Sequence, residues 1–139
     1  MGYPYVKIVG PSGGTIAPGD GLEIIIPAGM FPGDAKIVVE APVDVESQPA
    51  GRTTAGKAYK IRKEAGADPN LNYMFTIKLP FFTRMERYRA QLNCWRNVKI
   101  DDPGTWLQAP IRVDDGVQYR IGGQHQAERL FGFHCVFKG

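Results

Sequence analysis

Short apolar runs alternate with glycine and proline along almost the whole chain. Within several runs every second residue is apolar, which is the period of a β-strand with one buried face. The sets expected to face a core are Leu22, Ile24 and Ile26; Ile37 and Val39; Tyr59 and Ile61; and Phe75, Ile77 and Leu79. No segment sustains a helical period, although Thr83–Leu92 is compatible with a short helical turn.

This pattern predicts an all-β fold, an antiparallel β-sandwich of two packed sheets, in a single domain over residues 1–139. Strands with one clean apolar face fit two stacked antiparallel sheets better than a parallel sheet, which needs crossover helices. The predicted strands are Val6–Val9, Thr15–Ala17, Leu22–Ile26, Ala35–Glu40, Ala58–Arg62, Tyr73–Leu79, Arg89–Arg96, Thr105–Leu107, Ile111–Val113, Gln118–Ile121 and Leu130–Phe137.

The segments between these strands are predicted turns and loops. Asp101–Gly104 and Asp114–Gly116 have the aspartate and glycine composition of hairpin ends. Longer irregular stretches are expected at Val43–Gly56, Ala65–Asn72 and Gly122–Gln126. Loops of this kind on a rigid sandwich are where a binding site would be presented.

Composition narrows the classes of partner. The chain has 139 residues, of which 43% are hydrophobic and 22% charged, and it contains no apolar run of the roughly 20 residues that span a bilayer. The net charge of +3 is mild and acidic residues are interspersed, so neither a nucleic acid nor a membrane is expected as a partner. The first residues lack the features of a targeting segment, and the compartment stays open between a particle surface and the extracellular space.

The cysteines and histidines of this chain lack the spacing that catalytic and metal sites require. Cys94 and Cys135 lie in strand-like segments and are expected to be buried thiols rather than a disulfide, which would imply export. His125 and His134 fit no metal-ligand spacing, and neighbouring residues on a strand point to opposite faces, which separates His134 from Cys135. The sequence therefore predicts no catalytic residue, no metal and no cofactor.

The glycines near the start of the chain are predicted to form a turn. Gly10, Gly13 and Gly14 are not followed by the Gly-Lys-Ser or Gly-Lys-Thr of a phosphate-binding loop, nor by a helix. The paired aspartates of the two predicted hairpin turns lack the alternating Asp-x-Asp of a calcium loop and are expected to be solvated.

The order Gly13-Gly14-Thr15, Ile24-Ile25-Ile26-Pro27-Ala28-Gly29-Met30 and Ile37-Val38-Val39 resembles the start of a ZU5-type domain. The similarity continues through Ala58–Ile61 and Phe75–Phe81 to the last strands, and so covers nearly the whole chain. It implies a β-sandwich used for structure or interaction, with no catalytic residues. The chain departs from the pattern at Met30, in the basic segment Phe82–Arg89 and in an apparent insertion at Gly122–Arg129, and these departures are where partner choice is expected to differ.

One cluster is a candidate interaction surface, because it is rich in arginine and aromatic residues, which are enriched at protein interfaces. It comprises Phe81, Phe82, Arg84, Arg87, Tyr88, Arg89, Trp95 and Arg96. The alternative is a solvated face above core aromatics, and Glu86 interrupts the continuous basic groove that a nucleic acid would need. The candidate interface residues are Phe82, Arg84, Arg87, Tyr88, Arg89, Arg96, His125 and Arg129.

Two functions follow as expectations. The first is a non-enzymatic interaction module that docks onto a larger assembly through protein partners, including a homo-oligomer, with a phage-type virion accessory such as a capsid decoration or tail component as its setting. The second is a carbohydrate-binding module that stacks sugars on Trp95, Trp106 or Tyr119.

Overall fold

Two antiparallel sheets make up the fold in a computed structural model that describes residues 2–42, 51–97, 106–108, 120–126 and 133–138. Sheet I has the strand order β1-β4-β5-β10-β7-β8, and sheet II has the order β2-β3-β6-β9. The strands are β1 Tyr5–Val9, β2 Gly14–Ile16, β3 Glu23–Ile26, β4 Ala35–Glu40, β5 Arg52–Gly66, β6 Met74–Pro80, β7 Leu92–Asn97, β8 Trp106–Gln108, β9 Arg120–Gln126 and β10 Phe133–Lys138. The predicted all-β, two-sheet architecture is confirmed.

The core lies between the two sheets and is built from the alternating positions of their strands. All of the residue sets predicted to face it are buried, from Leu22, Ile24 and Ile26 in and before β3 to Phe75, Ile77 and Leu79 in β6. Burying each large apolar side chain contributes about 1.5–3 kcal/mol, which makes this alternation the main determinant of the strand registers.

The turn between β3 and β4 contributes to the same core. Met30 and Phe31 are both fully buried and belong to the cluster formed by residues of both sheets. Met30 is therefore a packing residue whose side chain has no surface for direct contact with a partner.

A tight turn joins β1 to β2, as the glycines of this segment predict. Gly10 and Gly13 form an isolated bridge, and the Gly13 amide donates to the Gly10 carbonyl at 3.0 Å. Gly13 has a φ of +76°, in the left-handed region that favours glycine. The following residues enter β2, which pairs with β3.

A 3₁₀ helix over Thr83–Gln91 connects β6 to β7. The helical turn anticipated here is confirmed, and the strand predicted from Arg89 begins instead at Leu92. Its buried residue Met85 anchors the segment to the core, and its backbone departs from helical geometry at Tyr88, with φ −103° and ψ 15°.

Gly122–Gln126 was expected to be a loop within an insertion, but it belongs to strand β9 and pairs with β6 from Met74 to Pro80. The sequence Gly-Gly-Gln-His-Gln does not alternate apolar and polar residues, so periodicity gives no sign of a strand here. The segment lies in the sheet because its backbone pairs with β6. A Cβ on Gly122 would lie 2.7 Å from the Ile77 carbonyl oxygen, so the glycine permits the close approach of β9 to β6.

The central strand β5 is longer than predicted, because it runs from Arg52 to Gly66 and takes in the end of the loop expected at Val43–Gly56. Its pairing with β10 shifts register between His134 and Val136, so the ladder is irregular there. Predicted strand Ile111–Val113 and the turns at Asp101–Gly104 and Asp114–Gly116 lie outside the described residues.

One edge of sheet I carries apolar side chains on its outer face. Val6 and Ile8 of β1 are 47% and 55% exposed, and β1 is paired only with β4 along the described sheet. Among the described residues no helix is long and apolar enough to cross a bilayer.

Candidate functional site

Backbone hydrogen bonds and buried side chains anchor the 3₁₀ helix to sheet I. The Phe82 amide donates to the Ala55 carbonyl of β5 at 2.6 Å, and the Met85 amide donates to the Phe82 carbonyl at 2.8 Å. Phe81 and Met85 are buried in the core cluster. These contacts fix the helix on sheet I and leave its other side to solvent.

That other side presents arginines stacked on aromatic rings. The Arg84 guanidinium carbon lies 4.5 Å from the centroid of the Phe82 ring, and that of Arg87 lies 4.9 Å from the Tyr88 ring. Both arginines are exposed, whereas Phe82 and Tyr88 are half-buried and pack against the core. A guanidinium this close to a ring makes a cation–π contact, and its five N–H donors can also bind a carboxylate.

A pocket opens beside Phe82, between the start of the 3₁₀ helix and strand β5. Its volume is about 220 Å³. Its lining residues are Asp20, Gly56, Lys57, Tyr59, Pro80, Phe81, Phe82 and Thr83. Pockets for drug-sized ligands have volumes of roughly 300–1,000 Å³, so this one suits a single side chain or a small fragment.

A hydrogen-bonded cluster around Asp20 forms one wall of the pocket. Oδ2 of Asp20 accepts from the Tyr3 hydroxyl at 2.7 Å, the Tyr59 hydroxyl at 3.0 Å and Lys57 Nζ at 3.3 Å. Oδ1 accepts from the Leu22 amide at 3.2 Å. The rings of Tyr3 and Tyr59 meet edge to face, with centroids 6.2 Å apart.

The electrostatics of this cluster keep Asp20 ionised and the tyrosines neutral. Burial alone would raise the pKa of Asp20, but the hydrogen bonds it accepts outweigh burial and hold that pKa below its ordinary value. Burial, together with the adjacent Asp20 carboxylate, raises the pKa of Tyr3 and Tyr59. A carboxylate that accepts four hydrogen bonds and has a lowered pKa is a weak base, so the cluster is suited to holding structure.

The cluster also connects the two sheets. Asp20 lies in the connection between β2 and β3 of sheet II, whereas Lys57 and Tyr59 belong to β5 of sheet I and Tyr3 lies two residues before β1. The three hydrogen bonds from Tyr3, Lys57 and Tyr59 therefore tie the sheets together beside the pocket, and the bond from the Leu22 amide is local to the connection. We call Tyr3, Asp20, Lys57 and Tyr59 the Asp20 lock.

The predicted interface residues do not form one cluster among the described residues. Arg84, Arg87 and Tyr88 lie on the 3₁₀ helix, and Phe82 directly precedes it. The side chains of Arg89 and Arg96, and the whole of Arg129, lie outside the described part of the structure.

His125 is distant from the 3₁₀ helix. Its backbone pairs with Phe75 near the start of β6, whereas the helix follows Pro80 at the other end of that strand. Five residues of a strand span about 17 Å. The structure therefore does not bring His125 to the arginine and aromatic side chains.

Two aromatic residues of the predicted cluster serve other roles. Phe81 is buried in the core. Trp95 lies half-buried in β7 with the Arg52 guanidinium 5.7 Å from its ring centroid, and its indole nitrogen is buried without an acceptor among the described residues. Arg52 therefore competes with a sugar for this ring; Tyr119 and the side chain of Trp106 lie beyond the described residues.

Sequence reasoning missed the Asp20 lock and the pocket. Asp20 stands between two glycines, which predicts a turn, and Tyr59 lies in an apolar strand, where a hydroxyl needs a buried partner. The buried hydroxyl of Tyr59 indicates that a hydrogen-bond partner exists, but the local sequence does not say which residue it is. The partner is Asp20, which is 39 positions from Tyr59 and 17 positions from Tyr3 in the chain.

The cysteines and histidines form no recognisable centre in the described part of the chain, where no group of three or more His, Cys, Asp or Glu side chains could hold a metal ion. Cys94 is buried, as predicted, and its Cα pairs with that of Cys135 across β7 and β10.

We expect Tyr3→Phe to lower the free energy of unfolding by about 1 kcal/mol, because it removes one hydrogen bond to Asp20 without removing the ring. Tyr5→Phe is the matched control, since the Tyr5 hydroxyl has no hydrogen bond within the described residues. Urea unfolding of both variants measures the difference. An equal loss in the two variants would contradict the role given to the Tyr3 hydroxyl.

Comparison of the chain with models of protein families and with curated proteins finds no match.

Proposed function

We propose that the protein is a non-enzymatic interaction module that docks onto a larger assembly through the 3₁₀ helix. The observation that carries this proposal is the pair of exposed arginines, Arg84 and Arg87, stacked on half-buried aromatic rings beside an open pocket. Aromatic rings held by the core provide contact area at low entropic cost, and guanidinium groups provide directional contacts. A ZU5-like β-sandwich in a structural or interaction role is the assignment that we propose with it.

The chemistry of the Asp20 lock supports the non-enzymatic part of the proposal. Its carboxylate is ionised and its oxygens are occupied by four donors. A general base needs a pKa near the working pH and a lone pair directed at the substrate. The cluster next to the pocket therefore suits a structural role better than general base catalysis.

The setting that we propose is a virion, as a capsid decoration or a tail component. The support is architectural: a small all-β sandwich places a docking surface rigidly at one end. Mass spectrometry of purified particles tests the setting directly, and absence of the chain from particles would overturn it while leaving the docking proposal standing.

Site-directed photo-crosslinking tests the docking role. A benzoylphenylalanine at the exposed rim residue Thr83 is expected to give a discrete adduct with one protein in native extracts of the source organism. Because Arg84 lies beside this rim, Arg84→Glu should reduce the adduct about tenfold, by analogy with interface arginines whose loss costs more than 1 kcal/mol.

The control is Arg62→Glu, which makes the same change of charge on β5 of sheet I, away from the 3₁₀ helix. It should leave the adduct unchanged. Equal loss in the two variants would indicate a nonspecific charge effect and would overturn the assignment of the docking surface to the 3₁₀ helix.

A further inference from the structure

We propose that the pocket and its arginine rim bind an acidic segment of a partner protein, with one apolar side chain in the pocket and carboxylates on Arg84 and Lys57. This inference rests on the docking function proposed above and specifies the chemistry of its partner. Three properties of the site support this inference. They are the volume of the pocket, the hydrogen bonds that Asp20 and Tyr59 in its wall already make, and the positive charge of its rim.

The volume fits one apolar side chain. A cavity of about 150 Å³ is known to hold a benzene molecule, and this pocket measures about 220 Å³. Pro80, Phe81 and Phe82 supply apolar wall. The pocket therefore has room for a phenylalanine or leucine side chain.

The polar wall of the pocket favours an apolar occupant. The Asp20 carboxylate and the Tyr59 hydroxyl already bond each other, and Asp20 also accepts from Tyr3 and the Leu22 amide. An apolar group placed against the Asp20 carboxylate and the Tyr59 hydroxyl therefore leaves the hydrogen bonds of these two groups intact. A polar ligand would have to break these bonds to gain its own.

The rim favours negative charge. The 3₁₀ helix contains three arginines and one glutamate, Glu86. Neither Arg84 nor Arg87 forms an ion pair within the described part of the chain, and stacking on the rings leaves their N–H donors in place for a bidentate carboxylate.

Lys57 adds a third cation at the pocket. Its side chain is 40% exposed, and its ammonium group has three donors, of which the described contacts assign one to Asp20. The remaining donors are available to a carboxylate of the ligand. Acidic residues flanking the inserted side chain can therefore pair with Lys57, which lines the pocket, and with Arg84, which lies over the ring of the lining residue Phe82.

Capped pentapeptides titrated into the full chain test the proposal by amide NMR. The probe is Ac-Glu-Asp-Phe-Asp-Glu-NH₂, and it should shift the amides of Gly56, Lys57 and Thr83. Replacing its phenylalanine by alanine should weaken binding about tenfold, which is the fold-change expected for losing a buried aromatic group. A lysine-flanked peptide, Ac-Lys-Lys-Phe-Lys-Lys-NH₂, should not bind.

Two protein variants locate the probe. Thr83→Trp, at an exposed rim position, should abolish the shifts by filling the pocket, and Arg84→Glu should weaken binding about tenfold. Arg62→Glu should bind as wild type. Unchanged amide spectra away from the pocket show that each variant is folded.

Three outcomes would overturn the proposal: shifts that map elsewhere, equal binding of the lysine-flanked peptide, or tighter binding of an oligouridylate, which would indicate a nucleic acid. These outcomes are distinct from failure of the docking role. A Thr83 crosslink without peptide binding means that the partner chemistry is wrong, whereas peptide binding without a crosslink dependent on Arg84 means that docking is wrong.

Discussion

Gly13→Ala is expected to lower the free energy of unfolding by about 3 kcal/mol, through the sum of left-handed backbone strain and steric overlap. Gly13 has a φ of +76°, and a Cβ at this position would overlap the Ile26 carbonyl oxygen and lie 2.7 Å from Pro27 C and 2.8 Å from Ala28 N. All three atoms are backbone, so no side-chain rotation relieves the overlap. The turn between β1 and β2 must shift, and with it the pairing of β2 with β3.

The adjacent glycine provides the control. A Cβ on Gly14 would meet no atom within 4 Å, and Gly14 is not among the glycines with positive φ. We therefore expect Gly14→Ala to change the stability by less than about 1 kcal/mol. Chemical denaturation of both variants measures the contrast. Similar losses would show that the double glycine is required for a reason other than the geometry of the turn.

Asp20→Ala is expected to lower the free energy of unfolding by about 3 kcal/mol, because it leaves two tyrosine hydroxyls and a backbone amide without their acceptor at the junction of the two sheets. Asp20→Asn, which keeps one acceptor oxygen, should lose less. Thermal and urea unfolding measure both variants. A loss no greater than that of Tyr3→Phe would contradict the lock.

The same residue predicts a dependence on pH. Because the pKa of Asp20 in the folded protein lies below the unfolded value of ~3.9, folding favours the carboxylate. This stabilisation is complete above the unfolded pKa and is lost as the pH falls through the folded pKa. The stability difference between wild type and Asp20→Asn should therefore be largest near neutral pH and narrow in acid.

That narrowing is measured by urea unfolding at several pH values from neutral to about 3, which brackets the unfolded pKa of aspartate. Comparing the two proteins at each pH cancels the titration of carboxylates that they share. A difference that stayed constant with pH would mean that the charge of Asp20 contributes nothing to folding.

The sandwich was predictable from sequence because its central strands alternate. Ile24 and Ile26 in β3, and Phe75, Ile77 and Leu79 in β6, are apolar at every second position, and burial of that face determines both the strand and its register. Strand β9 lacks this signal. Its segment Gly122–Gln126 is held by pairing with β6, a contact between residues that lie far apart in the chain.

The candidate site was predictable only in part, for the same reason. Phe82, Arg84, Arg87 and Tyr88 are close in sequence, so composition alone indicated the arginine and aromatic surface. The pocket beside it requires Asp20, Lys57 and Thr83 to meet, and no local pattern specifies that meeting. Trp95 lies on β7 with the Arg52 guanidinium near its ring, and His125, a candidate from the separate segment Gly122–Arg129, lies on β9; composition does not predict either placement.

The 3₁₀ helix has side chains that anchor it to the core and others that face solvent. Met85 is buried and the Phe82 backbone is bonded to β5, whereas Arg84 and Arg87 face solvent and support no other described element. Under the docking role proposed above, a substitution at either arginine would change which partner is bound with little effect on whether the domain folds. Partner preference and folding would then depend on different residues of the same short connection.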